Sequence, residues 1–141
     1  MSAPRIPRPL AIAGALFTWL VIIPLAHAGV PYLISRFGVR NGWSAGQPGW
    51  WNWLGLILAT AAAVLLLWVL AAAIARTPER VELKLPSFLM LHGPYAFTRN
   101  PMYVGELSLW FAWSVFFGSF GIFSAALALT AAIAFIVVPR E

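Results

Sequence analysis

The sequence predicts an all-α integral membrane protein with about four transmembrane helices, the last two a short hairpin, in one membrane domain over residues 1–141. Three observations carry that prediction. Hydrophobic residues make up 62% of the chain and charged residues only 9%, against roughly 25% charged in a soluble domain. The mean hydropathy is +0.86, and the apolar residues fall into runs long enough for a bilayer. A polar segment at 76–101 divides these runs into two halves.

Arg5 and Arg8 lead into the apolar run Leu10–Ala28. Nineteen residues at 1.5 Å each reach about 28 Å, close to one hydrocarbon core. Pro24 is expected to kink or end this span. Ala26-His27-Ala28 also mimics a signal-peptide cleavage site, so a cleaved leader is the alternative to a first span. Either way residue 29 lies on the outer side. Val30–Phe37 reads as a short extra helix or an extension of the first span. Trp43, Trp50, Trp51 and Trp53 then resemble an interfacial aromatic belt.

Trp53–Ala75 is the clearest span, free of charge and about 34 Å long as a helix. Its alanines suit close packing between helices in lipid. Arg76-Thr77-Pro78 stops it. Val81, Leu83 and Leu85 alternate with Arg80, Glu82 and Lys84, an extended pattern. After the polar segment, Met102–Val138 is too long for one span. Gly118-Ser119-Phe120-Gly121 is expected to turn it into helices at 103–117 and 122–138. These reach only about 22 and 25 Å, the short limit for a crossing.

Orientation follows from the cations. Arg5, Arg8, Arg76, Arg80, Lys84, Arg99 and Arg140 share one side of a four-span arrangement, and Arg36 and Arg40 take the other. Cytoplasmic loops carry the excess of Lys and Arg. Both termini and the 76–101 loop are therefore expected in the cytoplasm. The net charge of +5 suits anionic headgroups, with no basic cluster interleaved with aromatics for nucleic acid. Cysteine is absent, which excludes disulfides and thiolate chemistry. His27 and His92 stand too far apart for a metal-ligand motif, so no metal site is expected.

The stretch that invites chemistry is His92-Gly93-Pro94-Tyr95-Ala96-Phe97-Thr98-Arg99-Asn100-Pro101-Met102-Tyr103-Val104-Gly105-Glu106. Gly93-Pro94 marks a turn. Asn100-Pro101 reads as a helix start, with a capping side chain and then proline at the first helical position. A plain reading makes Arg99 a headgroup contact and Tyr95 and Tyr103 belt aromatics. A sharper reading makes the set a ligand site. A helix N-terminus offers N–H groups to an anion. Two tyrosines offer ring faces to a cation, and Arg99 offers a fork to a carboxylate or phosphate. Glu106 lies just inside the apolar layer, where an acid is a functional candidate by default.

This stretch resembles the signature of membrane methyltransferases of the isoprenylcysteine carboxyl methyltransferase and phospholipid methyltransferase superfamily. That signature runs roughly Gly-x-Tyr, a few residues, then Arg-His/Asn-Pro-x-Tyr-x-Gly, and the similarity in hydropathy covers Trp53 to Glu141. The resemblance implies an integral membrane enzyme that transfers methyl from S-adenosylmethionine to a lipophilic acceptor, isoprenylcysteine carboxylate-like or phospholipid-like. Carried over by position, Tyr95, Asn100, Pro101, Met102 and Tyr103 fall on cofactor-contacting positions. So does the upstream stretch Ser87, Phe88, Leu89 and Met90, by spacing only. Arg99, Asn100 and Glu141 are the implied catalytic positions. Asn100 stands where many members have histidine and resembles bacterial members, so the bacterial inner membrane is the expected location. The family closes its cofactor pocket with an acidic pair and a Phe-Gly, tyrosine-rich segment. Here only Glu141 matches that pair, so weak cofactor binding and little turnover are expected of the 141-residue polypeptide. The alternatives are a small non-catalytic membrane scaffold and, further off, a membrane reductase of related fold.

Overall fold

The computed structural model describes residues 5–82 and 92–137. It is mostly helical. Strand β1 (Arg5–Pro7) precedes a continuous helix, Arg8–Arg36. Within this helix, α1 (Arg8–Phe17) and α2 (Val30–Arg36) flank two π-helical stretches, Thr18–Ile22 and Leu25–Gly29. Of the kink or end expected at Pro24, the end does not occur. Proline removes one intrahelical donor and crowds the preceding turn. Widening to π geometry on both sides accommodates that without ending the helix. Residues 30–36 are thus an extension of the first helix, not a separate one.

Strands β2 (Trp43–Ser44) and β3 (Gln47–Pro48) form a small antiparallel hairpin, followed by α3 (Trp53–Ala75). Strand β4 (Arg80–Glu82) pairs antiparallel with β1, Arg5 opposite Glu82 and Pro7 opposite Arg80. The extended pattern expected from 81 is therefore present to Glu82, and 83–85 lie outside the described residues. Helix α4 (Pro101–Phe117) and helix α5 (Phe120–Ala132), with a π-helical end Ile133–Val137, complete the described chain.

Three of these helices, Arg8–Arg36, Trp50–Ala75 and Phe120–Val137, are long and apolar enough to cross a membrane. Their side chains face outward to match. Leu10, Phe17, Leu20, Leu25, Ile57 and Phe135 are all more than half exposed, a distribution suited to lipid and costly in water. Helix α4, with 17 residues, is the shortest of the four and the central one. It packs along α3 and then α5, and touches α2 as well.

Glycine allows the α3–α4 approach. Gly55 lies against the backbone of Ala112 and Phe116, and Gly105 lies against Leu66. This is the close packing of small residues that lipid-embedded helices use when no hydrophobic force drives them together. Ala59 and Ala62 complete the buried stripe of α3.

One end of the bundle is tied by Asn52, which is fully buried. Its Nδ2 donates to the carbonyls of Asn41 (3.2 Å), Val115 (3.0 Å) and Phe116 (3.0 Å), and its Oδ1 accepts from Gly49 N–H at 3.1 Å. The α4–α5 turn is Gly118-Ser119. Gly118 takes φ +58°, the left-handed C-cap that glycine adopts without Cβ strain. Ser119 accepts from Ile122 N–H and caps α5. The turn is two residues tighter than the four-residue turn expected.

Trp43 also departs from the belt reading. Its Nε1–H donates to Phe116 O at 2.9 Å, and its ring stacks on Phe117. Trp50 and Trp53 remain exposed, by 82% and 50%, as belt residues are.

Candidate functional site

The polar hinge sits at the opposite end of the bundle from Asn52. Gly93 takes φ +66° and lies close to Ala72 on the last turns of α3. Residues Gly93–Ala96 form a 3-10 turn with Pro94 buried beneath it. Thr98 Oγ1 accepts from Asn100 N–H at 3.3 Å, a local turn that aims the chain into α4.

Pro101 occupies the first position of α4, as the sequence implies, and is buried. Asn100 stands at the N-cap position but its side chain makes no capping hydrogen bond. Its backbone is the reason. At φ −126° and ψ 65° it lies off the β-region geometry that turns a cap side chain back onto the helix. The start of a 17-residue helix is thus left without a side-chain cap, and N–H groups at a helix start are the kind that donate to an anion.

Arg99 is exposed and Tyr95 half-buried. Phe97 is 82% exposed, its ring 6.0 Å from that of Trp68. Arg99, Asn100, Pro101, Met102 and Tyr103 are consecutive and so share the helix start, with Tyr95 one short turn before them. Ser87, Phe88, Leu89, Met90 and Glu141 lie outside the described residues. Cavities among the described residues lie elsewhere. One of about 500 Å³ lies between Ile34, Phe37 and Phe120, and one of about 350 Å³ lies between α3 and α4, lined by Leu58, Leu65 and Ser108.

The N-terminal segment shares this end of the bundle. Besides the β1–β4 pairing, Arg5 meets the Glu82 carboxylate at 2.6 Å through Nη2 and at 3.0 Å through Nε. Arg8 N–H donates to Glu79 O at 2.9 Å. Arg5, Arg8, Arg76 and Arg80 are therefore gathered at the end of the hinge, and Arg36 and Arg40 at the other. Lys84 and Arg140, which the cation count also assigns to the hinge side, lie outside the described residues.

A second polar group lies deeper, and sequence reasoning missed half of it. Glu106 points from α4 toward His27 in the second π-helical stretch, with Nε2 3.9 Å from Oε1. Trp110 Nε1–H donates to His27 Nδ1 at 2.9 Å. The two rings meet edge to face at 6.4 Å. A ring nitrogen that accepts an N–H bond holds no hydrogen, so this bond assigns the imidazole hydrogen to Nε2, on the side of Glu106.

The two side chains are 19% and 15% exposed. In the sequence, burial alone marks Glu106, whereas His27 carries only the cleavage-site and metal-spacing readings. The signal that pairs them is simple. Each is the one Asp, Glu, His, Lys or Arg side chain within its apolar run, and such groups within a bilayer pair with each other.

No protein-family model, curated protein or solved structure matches this chain.

Proposed function

We propose that this protein is an S-adenosylmethionine-dependent methyltransferase of the membrane, acting on a lipophilic acceptor at the cytoplasmic face. The observation that carries the reading is the start of α4. There an uncapped helix end, an exposed Arg99 and the rings of Tyr95 and Tyr103 fall within one short stretch. This donor set fits a zwitterionic sulfonium cofactor. The helix end and the Arg99 guanidinium suit its carboxylate. The tyrosine rings suit its cation. When bound, such a cofactor supplies an electrophilic methyl group. The chain's own part is to hold, orient and keep water out.

The topology belongs to the same proposal. Helix α4 runs along α3, with Gly105 against Leu66 near its start and Gly118 bonded to Asn41 at its end. It is not among the helices long and apolar enough to cross by length and composition, and we count it as a fourth, short crossing. The arginine-rich end faces the cytoplasm by the positive-inside rule, with a bacterial inner membrane as the setting.

The test is equilibrium dialysis of labelled S-adenosylmethionine against the purified chain in detergent. Saturable binding is expected, lost in Arg99→Ala and Tyr95→Ala with helical content retained. Absence of saturable binding at millimolar cofactor refutes the reading and leaves the non-catalytic scaffold. Binding that is indifferent to both substitutions moves the cofactor away from the hinge.

A further inference from the structure

The end of the bundle tied by Asn52 carries two grooves that share a wall. The wider, about 500 Å³, lies between the first helix and α5, against Ile34, Phe37, Gly38, Phe120 and Gly121. The narrower, about 350 Å³, also uses Phe120 and is completed by Asn41, Trp51, Val115 and Phe123. Each is the size of a small-ligand site, and both are walled mainly by carbon. Phe120, common to the two, is 76% exposed, and Phe37 is 89% exposed. Ile34 stands just before the end of the first helix and Phe120 opens α5, and both helices are long and apolar enough to cross a membrane. The grooves therefore begin at the helix ends, where lipid headgroups give way to chains.

The charge at this end is one-sided. Arg36 is exposed and Arg40 half-buried. Arg40 is held in place: Nε donates to Ser35 O at 3.1 Å and Nη2 to Ser35 Oγ at 2.8 Å. Its guanidinium carbon lies 4.9 Å from the Trp43 ring centre and 5.2 Å from that of Phe117. These contacts fix the fork without neutralising it, and Nη1 has no partner among the described residues. The described acids, Glu79, Glu82 and Glu106, all belong to the hinge half. Neither arginine therefore meets a carboxylate among the described residues. Helix α5 also starts here, and its dipole adds a positive end. Arginine beside a helix start suits the oxygens of a phosphate.

We infer that this end holds one anionic phospholipid of the leaflet opposite the hinge, its two chains in the grooves that meet at Phe120 and its phosphate beside Arg36 and Arg40. A zwitterionic lipid fits less well, because its own cation would meet two arginines with no acid nearby. A second copy of the chain, docked symmetrically by the same face, would set those arginines against each other. The lipid is a resident of the fold and not a methyl acceptor. The length of α4, about 26 Å, separates it from Arg99 and Tyr95, and it stands whether or not the hinge takes a cofactor.

The experiment is native mass spectrometry of the full chain, released from detergent micelles that contain equal amounts of phosphatidylglycerol and phosphatidylcholine with the same chains. One retained phosphatidylglycerol per protein is expected. An arginine beside an anionic headgroup is worth about fivefold in affinity. Arg36→Gln should therefore cut the preference for phosphatidylglycerol about fivefold, and Arg80→Gln, at the hinge end, should leave it unchanged. Gly38→Leu adds a side chain to the wider groove at a point where a Cβ meets nothing within 4 Å, so the fold tolerates it. It should lower the retention of both lipids without changing their ratio. Equal retention of the two lipids by the wild-type chain overturns the inference, a result that needs no variant. So does a preference that falls in Arg80→Gln and persists in Arg36→Gln, or wild-type retention in Gly38→Leu.

Discussion

Replacing Gly55 by alanine tests the centre of the fold. A Cβ at this position would lie 2.5 Å from Ala112 O and 2.7 Å from Phe116 Cα. An unstrained contact needs about 3.5 Å. The opposing atoms are backbone, so no side chain can rotate away. Helices α3 and α4 must part locally by about 1 Å, which already forfeits a quarter to a half of the dispersion attraction of the facing atoms. Overpacking of this type costs about 1–3 kcal/mol, and backbone against backbone belongs at the upper end. About 3 kcal/mol is roughly a hundredfold in the folding equilibrium.

Gly14 is the internal control. It is helical, and an added Cβ meets nothing within 4 Å. Gly14→Ala should therefore gain about 0.5–1 kcal/mol from reduced backbone entropy. The assay is reversible unfolding in mixed detergent and dodecyl sulfate micelles, followed by far-UV circular dichroism. Gly55→Ala within about 0.5 kcal/mol of Gly14→Ala, inside the usual scatter of neutral substitutions, would refute the close α3–α4 packing.

Three further outcomes are expected. Asn52→Leu removes the donor to the Asn41 carbonyl and leaves Val115 O only Gly118 N–H and Phe116 O only Trp43 Nε1–H, and should cost about 2 kcal/mol in the same unfolding assay, whereas Asn41→Ala, which removes one side-chain donor to Gly118 O, should cost about 1 kcal/mol. The chain has no cysteine, so single cysteines at Ser44 and Glu79 can be probed with an impermeant maleimide; Ser44 should label from outside intact inverted-free cells and Glu79 only after permeabilisation, and labelling of both from one side overturns the division of the loops. Arg5→Ala should cost less than about 1 kcal/mol and its effect should vanish in high salt, because the Arg5–Glu82 pair is largely exposed.

The sequence by itself determined the solvent and the rough layout. So many apolar residues with so few charges leave lipid as the medium for Trp53–Ala75 and for the flanking runs. Gly118 and Pro101 marked a turn and a helix start because each has a backbone preference that holds wherever it stands. The distribution of arginines separated the two ends, since an unpaired guanidinium is costly in the apolar layer whatever the packing. The hinge residues were also legible, being consecutive.

What only tertiary structure decided depends on contacts distant in sequence. Asn100 was expected to cap α4, and the dihedral angles imposed by the Thr98 turn leave its side chain out of that role. Pro24 is a signal to kink or end a helix, and π geometry carries the helix through to Arg36. Trp43 was placed in a belt, but a carbonyl offered by Phe116 draws it inward. His27 and Glu106 lie far apart along the chain and share no local pattern. Nothing short of packing the first helix against α4 could bring an imidazole within 3.9 Å of that carboxylate, because helix register, unlike composition, is fixed by the fit of side chains between helices.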